Sequence, residues 1–272
     1  MADLSVSRVE TVTFDEHVIG NDSYVVSLLH MDGADQSTTF TESASAGSGH
    51  AWTAHGAAKI ITADSEFGGA CGSFPGATGT GGDWIDTPDS VDFTLGTNAF
   101  TIDFWLKRGA TGAIYRVLGQ NDSSGTAAST SFFFYFSADN KLNAGVGVST
   151  QLKTATSTGT ITDTTTWHHI AIVRSGDTLY LYIDGAGDGT AALGAGATVN
   201  DSSNNVSVGR QGEYTSNNFN GYVDELRISK GVARWTANFA VPARAYDSIG
   251  AGTGLILAQL GVLAIDRTTE SE

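Results

Sequence analysis

The residues of this 272-residue chain that could carry chemistry are few, and their spacing limits what they can do. Within GYVDELRIS, at 221–229, strand alternation puts Tyr222, Asp224, Leu226 and Ile228 on one face and Val223, Glu225 and Arg227 on the other. Asp224 therefore travels with two apolar side chains. If that face is buried, its carboxylate needs a partner, because an unpaired buried charge is very costly. Asp224 and Glu225 are adjacent and point opposite ways, so they cannot act as a carboxylate pair. The same holds for His168-His169, which cannot share an ion from opposite faces of a strand. His169 falls with Trp167, Ala171 and Val173 and reads as a structural histidine. His30, His50 and His55 form no spacing motif. There is no G-x-S-x-G, and the glycine-rich stretches lack the lysine and following helix of a phosphate cradle. What remains is aromatic. Trp105, Tyr180 and Tyr182 lie opposite the Ile/Leu stripes of their strands and could form a platform for sugar rings, with Tyr214 and Trp235 as further loop candidates. Aromatic residues placed there for packing alone would give the same pattern.

These residues sit on strands. AFTIDFWLKR alternates, with Ile102, Phe104 and Leu106 on one side and Thr101, Asp103, Trp105 and Lys107 on the other. SFFFYFSADNKLNAGVGV reads as a hairpin turning near 138–141, and WHHIAIVRSGDTLYLYIDG as a second turning at 175–177. YVVSLLHM, KIIT, WIDT, FTLG, AIYRVLGQ and NVSVGR add further strands, with a short one around 38–41. GGACGSFPGATGTGGD reads as tight turns and VARWTANF as a single helical turn. No segment of 12 or more residues keeps a helical period. The pattern predicts an all-β fold, a two-sheet antiparallel β-sandwich. Residues 1–22 read as an extended N-terminal arm, and 247–272 as a glycine-rich linker, an apolar strand and a polar tail.

Composition agrees. Only 16% of residues are charged, glycine is abundant at 34 and proline scarce at 3, which suits short strands joined by tight turns. The net charge of -15 repels phosphate backbones and anionic lipid, and so argues against nucleic acid and membrane as partners. Cys71 is the single cysteine, so no internal disulfide forms. No stretch at the N-terminus has the pattern of a signal peptide, and LILAQLGVLAI at 255–265 is too short to span a membrane. The expectation is a protein made in a cytoplasm and used as a soluble or assembled part.

In order along the chain, SLLHMDGADQSTTFTES, FTIDFWLK, TWHHIAIVRSGDTLYLYIDG and GYVDELRIS resemble the laminin G-like jelly roll of the concanavalin A-like lectin/glucanase superfamily, over residues 23–246. With SKGVARWTANFAVP, the first block is similar to laminin G-like domains of tailed-phage structural proteins. The resemblance implies one structural calcium, with Asp32 and Asp224 at the matching positions. Calcium prefers several hard oxygens, and backbone amides of the first loop donating to Asp224 would be the alternative to an ion. It implies a non-enzymatic virion component, either a capsid decoration or head fibre or part of the tail. Its partners would be other virion proteins, further copies of itself (a trimer is one arrangement) and cell-surface glycans. A lectin module of a cellular protein is the alternative. A glucan hydrolase is disfavoured, because the Glu-x-Asp-x-x-Glu of the superfamily's glucanases is missing.

Overall fold

The structure is a computed structural model, described here for residues 20–76 and 82–247. In chain order the strands are β1 (Val25–Leu29), β2 (Thr53–His55), β3 (Lys59–Ile61), β4 (Cys71–Phe74), β5 (Trp84–Thr87), β6 (Phe100–Arg108), β7 (Tyr115–Asn121), β8 (Thr130–Phe136), β9 (Leu142–Val148), β10 (Gln151–Thr156), β11 (His168–Ser175), β12 (Thr178–Ile183), β13 (Ala186–Ala192), β14 (Val206–Val208) and β15 (Gly221–Lys230). They form two antiparallel sheets. The eight-stranded sheet runs β13-β12-β11-β6-β15-β4-β3, and the seven-stranded sheet runs β10-β9-β8-β7-β14-β5-β2. The eighth strand, β1, shares one side of β15 with β4: Gly221–Val223 pair with β4, and Leu226–Ser229 pair with β1.

The predicted stripes meet between the sheets. Ile102, Phe104 and Leu106 of β6, Ile170 and Ile172 of β11, and Leu179 and Leu181 of β12 pack against Phe132, Phe134 and Phe136 of β8 and Val206 and Val208 of β14. Phe104 and Phe134 meet edge to face at 5.2 Å. Each such side chain contributes about 1.5–3 kcal/mol by leaving water, which makes this layer the main source of stability. Both predicted hairpins form, as β8–β9 and β11–β12.

Some local expectations fail. FTLG is not a strand: Val91–Phe93 form a 3-10 turn capped by the Ser90 side chain. Cys71–Phe74, in the stretch expected to be turns, is the fully buried strand β4. VARWTANF forms no helical turn and runs as an irregular segment. Residues 20–22, expected to be part of the arm, are bonded to the folded domain. The Asn21 side chain donates to the Ser43 carbonyl and accepts from the Ser45 amide, and Asp22 accepts from Arg234. The expectations for 1–19 and for the strand and tail beyond 247 lie outside the described residues.

The most consequential departure is in β15. Asp224 lies opposite Trp105, and Arg227 lies opposite Asp103. Two residues, Glu225 and Leu226, thus face the single Phe104, and Glu225 is left-handed with φ 48°. This is a β-bulge, and it resets the alternation. Val223, Leu226 and Ile228 all reach the core between the sheets. Asp224 and Arg227 go to the outer face. The predicted grouping of Asp224 with Leu226 and Ile228 is therefore corrected, because an extra residue separates them in register. A left-handed non-glycine residue costs on the order of 1–2 kcal/mol, and the Glu225 carboxylate is held by bonds to His30 Nδ1 (2.8 Å) and from the Tyr246 amide (2.9 Å).

Candidate functional site

The outer face of the eight-stranded sheet is covered by the chain that follows β15, and polar groups tie the cover down. Asp103, at the centre of β6, is fully buried. Its two oxygens accept from Arg227 Nε (3.0 Å) and Nη2 (3.1 Å), and the Tyr246 hydroxyl also donates to it. Arg227 Nη1 donates to the Gly20 carbonyl, and the guanidinium lies 3.9 Å over the Tyr246 ring. Burial by itself would raise the Asp103 carboxyl. The guanidinium beside it, aided by His169, outweighs that and holds it well below the usual carboxylate range. Further along the cover, Trp235 and Phe239 stack at 3.9 Å, and both meet His169 edge-on.

Next to this network the bulge delivers Asp224. Its Oδ2 accepts the amides of Glu66 (2.9 Å) and Phe67 (3.0 Å), while Oδ1 is buried and accepts nothing. Burial pushes its carboxyl up to about 8, and the nearby Glu225 and Asp32 add to this, against the two amides. The fold brings Asp32 to the same loop: a Cβ placed on Gly68 would fall 2.1 Å from Asp32 Oδ1. The two residues matched to a metal role thus converge on loop 66–68 from positions 192 apart. Among the described residues no three His, Cys, Asp or Glu side chains are grouped to hold an ion, so a cation here would draw its remaining ligands from carbonyls and water. The orphaned Asp224 oxygen and the facing Asp32 fit such an ion, and the two amides already satisfy the other half of Asp224.

The aromatic platform fares differently. Trp105 is only 6% exposed, packed under Phe67 and against His169. Tyr182 is 2% exposed beneath Phe239. Neither offers a face to a ligand, so their reading as sugar platforms is corrected: loop 64–69 and the segment after β15 cover them. Trp235 is buried in the same cover. Tyr180 alone of the three stays half-exposed, in an open cleft of about 300 Å³ with Thr158, Gly187, Asp188, Gly189 and Thr190. Asp188 Oδ1 accepts from the amides of Thr158 and Gly159 and from the Thr158 hydroxyl, and among the described residues Oδ2 has no donor. The adjacent histidines separate as expected. His169 is buried, while His168 bonds Asp184 through Nδ1 and Asp163 through Nε2, and Asp184 foremost raises its pKa. Sequence reasoning missed a second half-exposed group, Trp167 and Tyr222 flanking Lys107, which pairs with Asp64. Trp167 directly precedes β11 and Tyr222 lies on β15, and the sheet order brings them together across β6.

Two stacked antiparallel sheets in this order, with a bonded cover on one outer face, define a lectin-like jelly roll. The family model described as the concanavalin A-like lectin/glucanases superfamily matches residues 79–236, and the chain belongs to that family. No curated protein matches the chain. Among solved structures, the binding domain of Paraclostridial Mosquitocidal Protein 1 is similar at 15% identity with a TM-score of 0.57, covering 78% of this chain and 50% of that one. The binding domain of botulinum neurotoxin DC, solved in complex with rat synaptotagmin II, is similar at 12% identity with a TM-score of 0.58, over 78% and 49%. The same toxin's binding domain in complex with SialylT is similar at 13% identity with a TM-score of 0.55, again over 78% and 49%. The chain spans about half the length of these domains, and at these identities the likeness is one of fold.

Replacing Arg227 with alanine leaves Asp103 buried and unpaired, and is expected to cost about 3–5 kcal/mol, read as a lower midpoint in denaturant unfolding. The pH profile should change with it. The Asp103 pKa is depressed on folding, so its contribution is complete above the unfolded value near 3.8 and fades only as pH falls toward the folded value. Arg227→Ala should lose that pH dependence, so the stability gap between wild type and variant is widest near neutral pH and narrows as pH falls below about 3.8.

Proposed function

We propose that the domain is a non-enzymatic recognition module on the surface of a virion, as a capsid decoration or head fibre or as a tail component, assembled with other virion proteins and with copies of itself. The observation that carries recognition is the cleft at Tyr180. It combines an open aromatic ring, a carboxylate with one unbonded oxygen and two threonines. Ring stacking on C–H faces and hydrogen bonds to hydroxyls are what a neutral sugar requires. The central acids, by contrast, are consumed by the fold: Asp103 by Arg227 and Tyr246, Glu225 by His30 and Tyr246. No carboxylate pair is left open there for glycoside hydrolysis. The structural neighbours are binding domains, which supports the same reading. The virion placement is supported by the phage-like first and closing sequence blocks. We further propose a single structural calcium held by Asp32 and Asp224.

Three outcomes are expected. Mass spectrometry of purified virions should find the protein at a fixed copy number, and its absence would end the virion reading. On an array of neutral glycans the domain should bind at least one, and Tyr180→Ala should weaken that binding about tenfold or more; binding to none would sink the glycan reading. Calcium added after chelation should raise the melting temperature of the wild type and leave that of Asp224→Asn unchanged; equal responses would exclude a structural ion at this place.

A further inference from the structure

Arg116 stands on the other sheet, away from the cleft at Tyr180. It sits on β7 opposite Tyr135 of β8, and its guanidinium lies 3.6 Å over the ring of Tyr214. Nη1 donates to Gln211 Oε1 at 2.9 Å, while Nε is shielded from water and has no acceptor. Among the described residues no carboxylate pairs with Arg116, although the chain carries 29 acidic residues against 14 basic ones. Arg108 and Arg174 likewise bond carbonyl oxygens, whereas others have a carboxylate. Arg210 pairs with Asp86, Arg227 with Asp103 and Arg234 with Asp22.

The edge left over has a specific chemistry. Nε and Nη2 of a guanidinium donate side by side from one edge, in the geometry that fits the two oxygens of a carboxylate. Arg227 does this within the same molecule, holding both oxygens of Asp103 through those two atoms. On Arg116, among the described residues, Nη1 has an acceptor, while Nε is unbonded and shielded from water. Around it lie half-exposed Tyr135 and Tyr214, with Phe133 at 6.0 Å from Tyr135 on the same face. Aromatic rings beside a carboxylate-reading edge match a ring that bears an acid group.

We propose that this face carries a second saccharide site, in which Arg116 grips the carboxylate of an acidic pyranose and Tyr135 and Tyr214 contact its ring. The proposal rests on the recognition reading above but uses a different sheet, a different residue set and a charged ligand. The acid group reaches Nε only when the contacts that shield it from water move, and Tyr135 is the half-exposed cross-strand neighbour of Arg116.

The test is an NMR titration of the full chain that follows the Arg116 Nε–Hε signal. Sodium glucuronate and sodium N-acetylneuraminate are the probes, with glucose and sodium acetate as controls. A saturable shift is expected with at least one of the two acids. Glucose should give none, and acetate should bind about tenfold more weakly or worse. Arg116→Gln should abolish the response of the Tyr135 and Tyr214 ring signals, and Tyr180→Ala should leave the Arg116 response intact. The proposal is overturned if neither acidic sugar shifts the signal, if glucose shifts it equally, or if acetate binds as well as the sugars. The wild-type titration decides alone should Arg116→Gln fail to fold. Because the Tyr180 cleft is tested with neutral glycans, either site can fail without the other.

Discussion

The buried pair of Asp103 and Arg227 is the interaction on which the outer half of the molecule depends. Both side chains are fully buried on a face that a solvent-facing sheet would leave wet. Putting two charges there is favourable only with full hydrogen bonding. The extra bonds come from Tyr246, His169 and the Gly20 carbonyl, which belong to four separate parts of the chain once β15 is included. The pair thereby fixes where the segment after β15 lies, and that segment in turn buries Tyr182, Trp235 and His169. Apolar packing builds the layer between the sheets, and a charged pair organises the layer outside it.

The bulge at Glu225 links these two layers. Without the extra residue, Arg227 would fall on the core side of β15, opposite the position it needs to reach Asp103. With it, Val223, Leu226 and Ile228 keep the core filled while Asp224 and Arg227 both face outward. The left-handed backbone of Glu225 is the local cost. Its carboxylate offsets that cost by joining β15 to His30 and Tyr246.

Much of the fold was legible in the sequence because its strands alternate and its turns carry glycine and asparagine. The stripes of β6, β8 and β12 and both hairpins could be read directly, since alternation is set by neighbours two residues apart. Asp224 was legible as buried and bonded, but the amides that donate to its Oδ2 come from Glu66 and Phe67 and not from the first loop. Its face was not legible, because the bulge is held by His30, 195 positions away. Trp105 and Tyr182 misled for the same reason. Each stands on the outward side of its strand, as alternation requires, but what covers them comes from loop 64–69 and from the segment beyond Lys230. Strand β4 was hidden because Cys71–Phe74 is short, contains glycine and has no polar alternation: it is buried on both sides.

The contact between Gly20 and Tyr246 has a mechanical consequence. A Cβ on Gly20 would sit 2.3 Å from the Tyr246 ring, so only glycine lets the chain at 20 and the chain at 246 touch. Tension applied between these two points does not pass across the sandwich. It meets the Tyr246 ring and the Arg227–Gly20 bond first and peels them one at a time, while the strand ladders behind carry no load.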